Sequence, residues 1–145
     1  MLHKFIFLAI FGIAMAHLEG VVVFYLRKAL DFNEKGSNIN FIQQFPKKYL
    51  LIERTREAAT IIMLVVLAVL VGNNLFDMII VFLWTFAFWD LFYYVSLYVL
   101  IKWPDNLKTI DVLFLIPKPW IAPVWFPISI SSITILSILT YLFLS

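Results

Sequence analysis

The sequence predicts an all-α integral membrane protein: a four-helix bundle with a proline-rich interfacial or re-entrant strap before the last helix. Of its 145 residues, 63% are hydrophobic and 14% are charged, and the mean hydropathy is +0.98. Soluble proteins average about 45 to 50% apolar and about 25% charged residues. Because each crossing takes about 20 residues, the chain has room for four crossings and two modest loops. We therefore expect a single transmembrane domain over residues 1–145.

The apolar runs predict helices over about 5–26, 49–71, 75–102 and 124–144. Polar or helix-breaking residues separate these runs. The first run stops at Arg27, Gly72 begins a tight turn with two asparagines, and Trp103 with Pro104 ends the third run. The loops are predicted at about 27–48 and 103–123.

The second loop contains the predicted strap. Its apolar stretch is followed by prolines at 117, 119, 123 and 127, which interrupt any long helix. Trp120 and Trp125 suit the headgroup boundary, where tryptophan is enriched. A shallow segment is therefore predicted here in place of a further crossing.

The positive residues indicate the orientation. Of the 11 lysines and arginines, all but Lys4 lie in or beside the two loops and the start of the second helix. Cytoplasmic loops retain such residues, so both loops are predicted to be cytoplasmic and both termini outside. Binding to nucleic acid is not expected, because acidic residues dilute the basic loop and anionic lipid explains its charge.

Acidic residues inside the apolar runs are the best candidates for a site. Asp90 lies within Met78–Ile101, 24 residues whose other ionisable groups are all tyrosines. A carboxylate at that depth is costly and usually faces protein. Glu19 in the first helix and Glu57 in the second approach from the same cytoplasmic side. We therefore expect the three carboxylates to meet in the cytoplasmic half of the bundle.

Helical spacing adds neighbours to this cluster. Glu53 and Arg56 lie near Glu57 in the second helix, and Tyr93 and Tyr94 share a face with Asp90. Glu53 has an alternative position among the headgroups, together with Arg54. For Tyr93, Tyr94 and Tyr98, packing and interfacial anchoring are favoured over contact with a quinone. The cluster is either a structural ion-pair network or a site for a ligand, a metal or a proton.

The first helix carries two further features. Gly12, Ala16 and Gly20 form a small-residue stripe that permits close approach of another helix, and Glu19 borders it. His17 lies about 200° around the helix from Glu19. For His17, an interhelical hydrogen bond is therefore favoured over metal or cofactor ligation. The serines and threonines of the fourth helix are predicted to serve packing.

Few cofactors can be predicted. Glu19, Glu57, Asp90 and His17 are weak metal candidates, because the Glu-x-x-His pairs of bundle metal centres are missing. The chain has no cysteine for an iron-sulfur cluster. Its two histidines are about 21 Å apart along one helix, so this chain alone is not expected to hold a bis-histidine haem. No phosphate-binding loop, nucleophile elbow or HExxH motif occurs.

Several segments after Glu53 resemble a group of small bacterial four-helix membrane proteins. The segments are Arg-Glu-Ala-Ala-Thr at 56–60, Trp-Asp-x-x-Tyr-Tyr at 89–94, Trp-Pro at 103–104, Asp-x-Leu-Phe-Leu-Ile-Pro at 111–117 and Pro-Trp at 119–120. The resemblance implies that four residues belong to one shared polar arrangement: Arg56, Glu57, Asp90 and Asp111. It also implies that the protein is located in a bacterial inner membrane. It implies no activity, because none is known for the group.

Three functions are compatible with these observations. The favoured one is a non-catalytic membrane subunit or scaffold that docks in a larger complex, for example a respiratory or transport complex. The polar cluster would fix the register of its helices. The alternative is a small proton- or cation-coupled transporter that uses Glu19 and Asp90. A membrane enzyme with a carboxylate-metal or quinone site is the third. The expected partners are the lipid bilayer and other membrane subunits or a second copy.

Overall fold

The computed structural model describes residues 2–29, 47–116 and 118–145, and this part of the chain is mostly helical. It contains four long helices: α1 (Leu2–Ala29), α2 (Lys47–Val71), α3 (Leu75–Ile101) and α4 (Trp125–Leu144). A two-stranded antiparallel sheet, β1 (Ile110–Phe114) and β2 (Trp120–Pro123), lies between α3 and α4. Pro117 and most of the predicted first loop, residues 30–46, lie outside the described residues.

Each predicted helix has a counterpart in the structure, but the helices differ in their suitability for crossing a membrane. Among the described helices, α1, α3 and α4 are long and apolar enough to do so. The helix α2 begins with a charged segment, and its uninterrupted apolar part, residues 58–71, is only about 21 Å long at 1.5 Å per residue. That part is shorter than the roughly 30 Å hydrocarbon core of a bilayer.

The helices α1 and α3 run parallel and make the most extensive contact between helices. Near their first turns, Lys4 Nζ lies 2.8 Å from Asp77 Oδ2. At their other ends, the Arg27 guanidinium lies 5.5 Å from the centre of the Trp103 ring. The C-terminal ends of α1 and α3, after which the two predicted loops begin, therefore lie at the same end of the bundle.

The small-residue stripe of α1 makes this contact close. A Cβ atom added to Gly12 would lie 3.0 Å from the Thr85 carbonyl oxygen, and one added to Gly20 would lie 3.0 Å from Ser96 Cβ. Ala16 between them is fully buried. The predicted role of the stripe in helix approach is thus seen directly, with α3 as the neighbour.

An apolar core joins all four helices near the Asn73 turn. Its buried members come from α1, α2, α3 and α4: Phe5, Leu8, Ala68, Val81, Trp84 and Ile138. The Trp84 indole N–H donates to the Phe5 carbonyl oxygen at 2.8 Å, and the two rings meet edge to face. The single polar group of the Trp84 side chain is thereby satisfied within a packed apolar layer.

The loop before α4 contains two strands that were not predicted. Within the segment proposed as a proline-rich strap, the described residues form a β-hairpin. Ile110 pairs with Pro123 and Val112 pairs with Ile121, with a bulge before Phe114. The backbone N–H of Val124 donates to Thr109 O at 2.8 Å, which joins the end of the hairpin to the start of α4. Pairing between the strands satisfies backbone groups that an irregular segment would leave open.

Candidate functional site

A polar cavity of about 120 Å³ lies beneath the β-hairpin, at the end of the bundle opposite the apolar core. Side chains from α1, α2 and α3 form its walls, and β1 with the residue after it closes one side. The sequence-predicted residues that line it are Glu19, Glu53, Arg56, Glu57, Asp90, Tyr93, Tyr94 and Asp111. The three carboxylates expected to meet, on α1, α2 and α3, therefore do share one cavity.

Arg56 joins two helices within this cavity. Its guanidinium contacts the Glu19 carboxylate of α1 and the Glu53 carboxylate one turn earlier in α2. Arg56 Nε also donates to Glu53 Oε2 at 3.0 Å. One arginine therefore bridges two acidic groups, which suits the forked geometry of a guanidinium.

The alternative position of Glu53 among the headgroups was wrong. Glu53 is buried, with 9% of its surface exposed, because its carboxylate pairs with Arg56 in the cavity.

Thr60, one turn further along α2, was not predicted to take part. Its hydroxyl donates to Glu19 Oε1 at 2.7 Å and reaches the Arg56 carbonyl oxygen at 3.1 Å. The sequence feature that could have indicated Thr60 is its position four residues after Arg56, which places both side chains on the same face of α2.

Two carboxylates attach the hairpin to the helices. Asp111 of β1 is 2% exposed, and its Oδ2 accepts a hydrogen bond from the Tyr94 hydroxyl at 2.6 Å. Glu57 Oε2 accepts from the backbone N–H of Leu115 at 2.7 Å. The hairpin is thus held to both α3 and α2 through charge-assisted hydrogen bonds.

Asp90 is connected to the last helix. Its Oδ2 accepts a hydrogen bond from the hydroxyl of Ser131 at 2.8 Å, and Ser131 is buried. The prediction that the hydroxyls of α4 serve packing is incomplete for this serine. Thr134 and Thr140 do bond to carbonyl oxygens of their own helix, as such residues often do.

The cavity has an excess of acidic groups over basic ones. Among the described residues that line it, five carry carboxyl groups and only Arg56 carries a guanidinium. Trp89 also lines the cavity, and its buried indole N–H has no hydrogen-bond partner among the described residues. Buried polar groups usually have a partner, which is often water.

His17 lies outside the cavity. It is exposed on α1, and its Nδ1 is 3.4 Å from the hydroxyl oxygen of Ser96 on α3, in line with the favoured interhelical hydrogen bond. Within residues 2–29, 47–116 and 118–145, no three His, Asp or Glu side chains are arranged to hold a metal ion. The candidates Glu19, Glu57 and Asp90 share the cavity, whereas His17 does not join them.

No protein-family model, curated protein or solved structure matches the chain.

Proposed function

We propose that the protein is a non-catalytic integral membrane subunit or scaffold, whose polar cluster fixes the arrangement of its helices for docking in a larger membrane complex. The observation that carries this proposal is the mutual pairing of the charged groups. Arg56 joins α2 to α1, Ser131 joins α4 to Asp90 of α3, and Glu57 holds the hairpin. Together with the hydrogen bond from Tyr94 of α3 to Asp111 of the hairpin, these contacts connect every described helix.

Pairing of this kind favours a structural role. Carboxylates that already accept hydrogen bonds from the same chain have fewer sites left for a substrate. Removing one partner of a buried pair leaves an uncompensated charge, so such pairs constrain which helices can be neighbours. A protein that must present fixed helix faces to a partner subunit benefits from that constraint.

The proposed setting is a bacterial inner membrane. The helices α1, α3 and α4 cross it. The 25 residues of α2 extend for about 37 Å, so α2 begins on the side of the hairpin, with its charged turns inside the bundle, and ends at the opposite side. Both basic loops then lie in the cytoplasm and both termini outside, as the distribution of lysine and arginine favours. Arg56 and Glu53 occupy the cytoplasmic half of the bundle.

Purification from native membranes tests the proposal. We expect a tagged chain, extracted in mild detergent, to migrate on a native gel as a complex with another membrane protein in fixed stoichiometry. Asp90→Asn should reduce the yield of that complex, because it weakens the connection between α3 and α4. Lys108→Gln is the control, since Lys108 is also charged and is exposed in the loop after α3.

A chain that migrates alone or only with copies of itself would contradict the proposal. Equal yields of the complex from the Asp90 and Lys108 variants would mean that the polar cluster does not affect docking, and would also contradict the proposal.

The excess of carboxyl groups and the unpartnered Trp89 N–H favour a second candidate, a small proton- or cation-coupled transporter. In that case Glu19 and Asp90 would exchange protons or cations within the cavity. Liposomes that contain the purified protein should then show proton or cation flux that Glu19→Gln and Asp90→Asn abolish and Lys108→Gln preserves. Absence of flux from folded protein would remove this candidate.

A further inference from the structure

A second concave surface lies along α3, and Tyr94 lines both this surface and the polar cavity. It is an apolar groove of about 370 Å³ between α3, the loop at 104–107 and the first turns of α4. Its long wall is formed by one face of α3, with residues spaced three and four apart: Leu91, Tyr94, Val95, Tyr98 and Val99. From Leu91 to Val99 this wall extends for about 12 Å along the helix.

The chemistry of the groove changes at one end. Along α3 its walls are almost entirely apolar, but at the loop it is lined by Asp105 and Asn106. Lys102, the residue after α3, places its ammonium 5.2 Å from the centre of the Tyr98 ring, and Tyr98 lines the groove. Lys102 and Asp105 are both exposed. An apolar slot therefore ends beside one positive and one negative side chain.

This distribution is complementary to an amphiphile with a dipolar head. We propose that the groove binds a phospholipid with a zwitterionic, primary-ammonium headgroup, of the phosphatidylethanolamine class. One acyl chain lies along α3 from Tyr98 toward Leu91, Lys102 binds the phosphate, and Asp105 binds the ammonium. The partial negative charge at the C-terminal end of α3 also favours an ammonium group there.

Both opposite charges are needed for this assignment. A purely anionic lipid such as phosphatidylglycerol would bind Lys102 but would leave Asp105 facing a phosphate, which is unfavourable. The slot also ends at the side of the bundle where the loops lie, so the charged end is at the depth of lipid headgroups when α3 crosses a bilayer. The inference goes beyond the proposed function and does not depend on it.

Native mass spectrometry of the purified protein tests the proposal. The protein is mixed with equal amounts of phosphatidylethanolamine and phosphatidylglycerol that have identical acyl chains. We expect the ethanolamine lipid to be retained about tenfold better, the difference that one charge-assisted hydrogen bond provides. Asp105→Asn should abolish this preference, and Lys102→Gln should weaken retention of both lipids. Equal retention by the unmodified protein, or a preference for phosphatidylglycerol, would overturn the proposal.

Matched variants identify the groove. Val95→Trp should fill it and reduce retention of both lipids, whereas Leu83→Trp, on an exposed part of α3 outside the groove, should not. Lys28→Gln is the control for Lys102→Gln, because Lys28 also lies over an aromatic ring, that of Phe24, but away from the groove. If Val95→Trp and Leu83→Trp retain lipid equally, the groove is not the site.

A crosslinking experiment in cells distinguishes lipid from protein as the occupant. A photoreactive amino acid in place of Val95 should crosslink to phosphatidylethanolamine. Crosslinking to a polypeptide would overturn the lipid proposal and leave the docking proposal intact. Failure of the chain to copurify with a partner subunit would contradict the docking proposal and leave the lipid proposal intact.

Discussion

The two ends of the bundle are built from the same helices but are held together differently. At the end near the Asn73 turn, Phe5, Leu8, Val81 and Trp84 pack into a closed apolar core. At the hairpin end the helices surround a polar cavity, and side-chain pairs such as Arg56 with Glu19 connect them. The first end is held mainly by apolar packing, whereas at the second end particular polar partners are added to a smaller apolar cluster that includes Leu97 and Trp103.

This difference has a consequence for membrane proteins in general. Lipid chains are as apolar as leucine, so an apolar side chain gains little free energy when it contacts protein in place of lipid. A charged side chain strongly favours a position beside its partner, because an unpaired charge in hydrocarbon is costly in free energy. The polar end should therefore determine which helices meet, and the apolar end should determine how tightly they pack.

The largest expected effect comes from removing Arg56. Arg56→Met leaves Glu19 and Glu53, whose side chains are only 12% and 11% exposed, without their shared cation. We expect the free energy of unfolding to fall by about 3 to 5 kcal/mol, as when one partner of a buried pair is lost. Titration with denaturing detergent measures this change.

The matched control for Arg56→Met is Arg54→Met, two residues earlier in α2. Arg54 forms no ion pair with a described residue, so its replacement should change stability by about 0.5 kcal/mol or less. A comparable loss in both variants would mean that positive charge in this helix, and not the bridge to Glu19, supports the fold.

At the apolar end, Leu8→Ala should have a smaller effect. Leu8 is 4% exposed, so the change opens a cavity in the core. We expect a loss of about 2 kcal/mol, at the low end for buried leucine, because in the proposed membrane setting transfer from lipid to protein adds little. Leu18→Ala on the same helix, at a position 65% exposed, is the control and should be nearly neutral. Unfolding in detergent compares the two, and an equal effect would contradict a packed core at this end.

Attachment of the hairpin can be tested separately from the stability of the helices. Tyr94→Phe removes the donor to Asp111, and we expect a loss of about 1 to 2 kcal/mol with faster amide exchange across Ile110–Phe114. Hydrogen exchange followed by mass spectrometry measures this locally. The control is Tyr98→Phe, at an exposed tyrosine of the same helix. Unchanged exchange in β1 of the Tyr94 variant would contradict the proposed attachment.

The smallest effect should come from the ion pair at the apolar end. Lys4 and Asp77 are 2.8 Å apart, but their side chains are 23% and 21% exposed, more than those of Glu19 and Glu53. Lys4→Met should therefore cost at most about 1 kcal/mol, the usual range of exposed pairs. Unfolding at low and high salt checks this. A loss as large as that of Arg56→Met would remove the proposed contrast between the two ends.

The sequence predicts the helices and the meeting of the acids for clear physical reasons. Long apolar runs can satisfy their backbone in a bilayer only as helices, and Gly72 and Pro104 mark where two of them end. Glu19, Glu57 and Asp90 are too polar to face lipid, and their positions along the helices place them at the same end. Convergence at one cavity follows from these two constraints.

Other contacts of the site could not be derived in the same way. Ser131 and Thr60 can bond to their own helices or to a neighbour, and only the packed structure decides between these options. The donor to Glu57 is a backbone N–H of Leu115, so it depends on the conformation that follows β1. The hairpin itself was missed because the prolines indicated a break in the helix but not the pairing of two short strands.

The most direct test of the central claim is a double-mutant cycle between Glu19 of α1 and Arg56 of α2. Unfolding free energies are measured for the unmodified protein, Glu19→Gln, Arg56→Met and the combined variant. If this pair joins the two helices, the effects of the single changes should not add, and the coupling should be about 2 kcal/mol or more. Additivity within about 0.3 kcal/mol would contradict the account, because the two residues would then act independently.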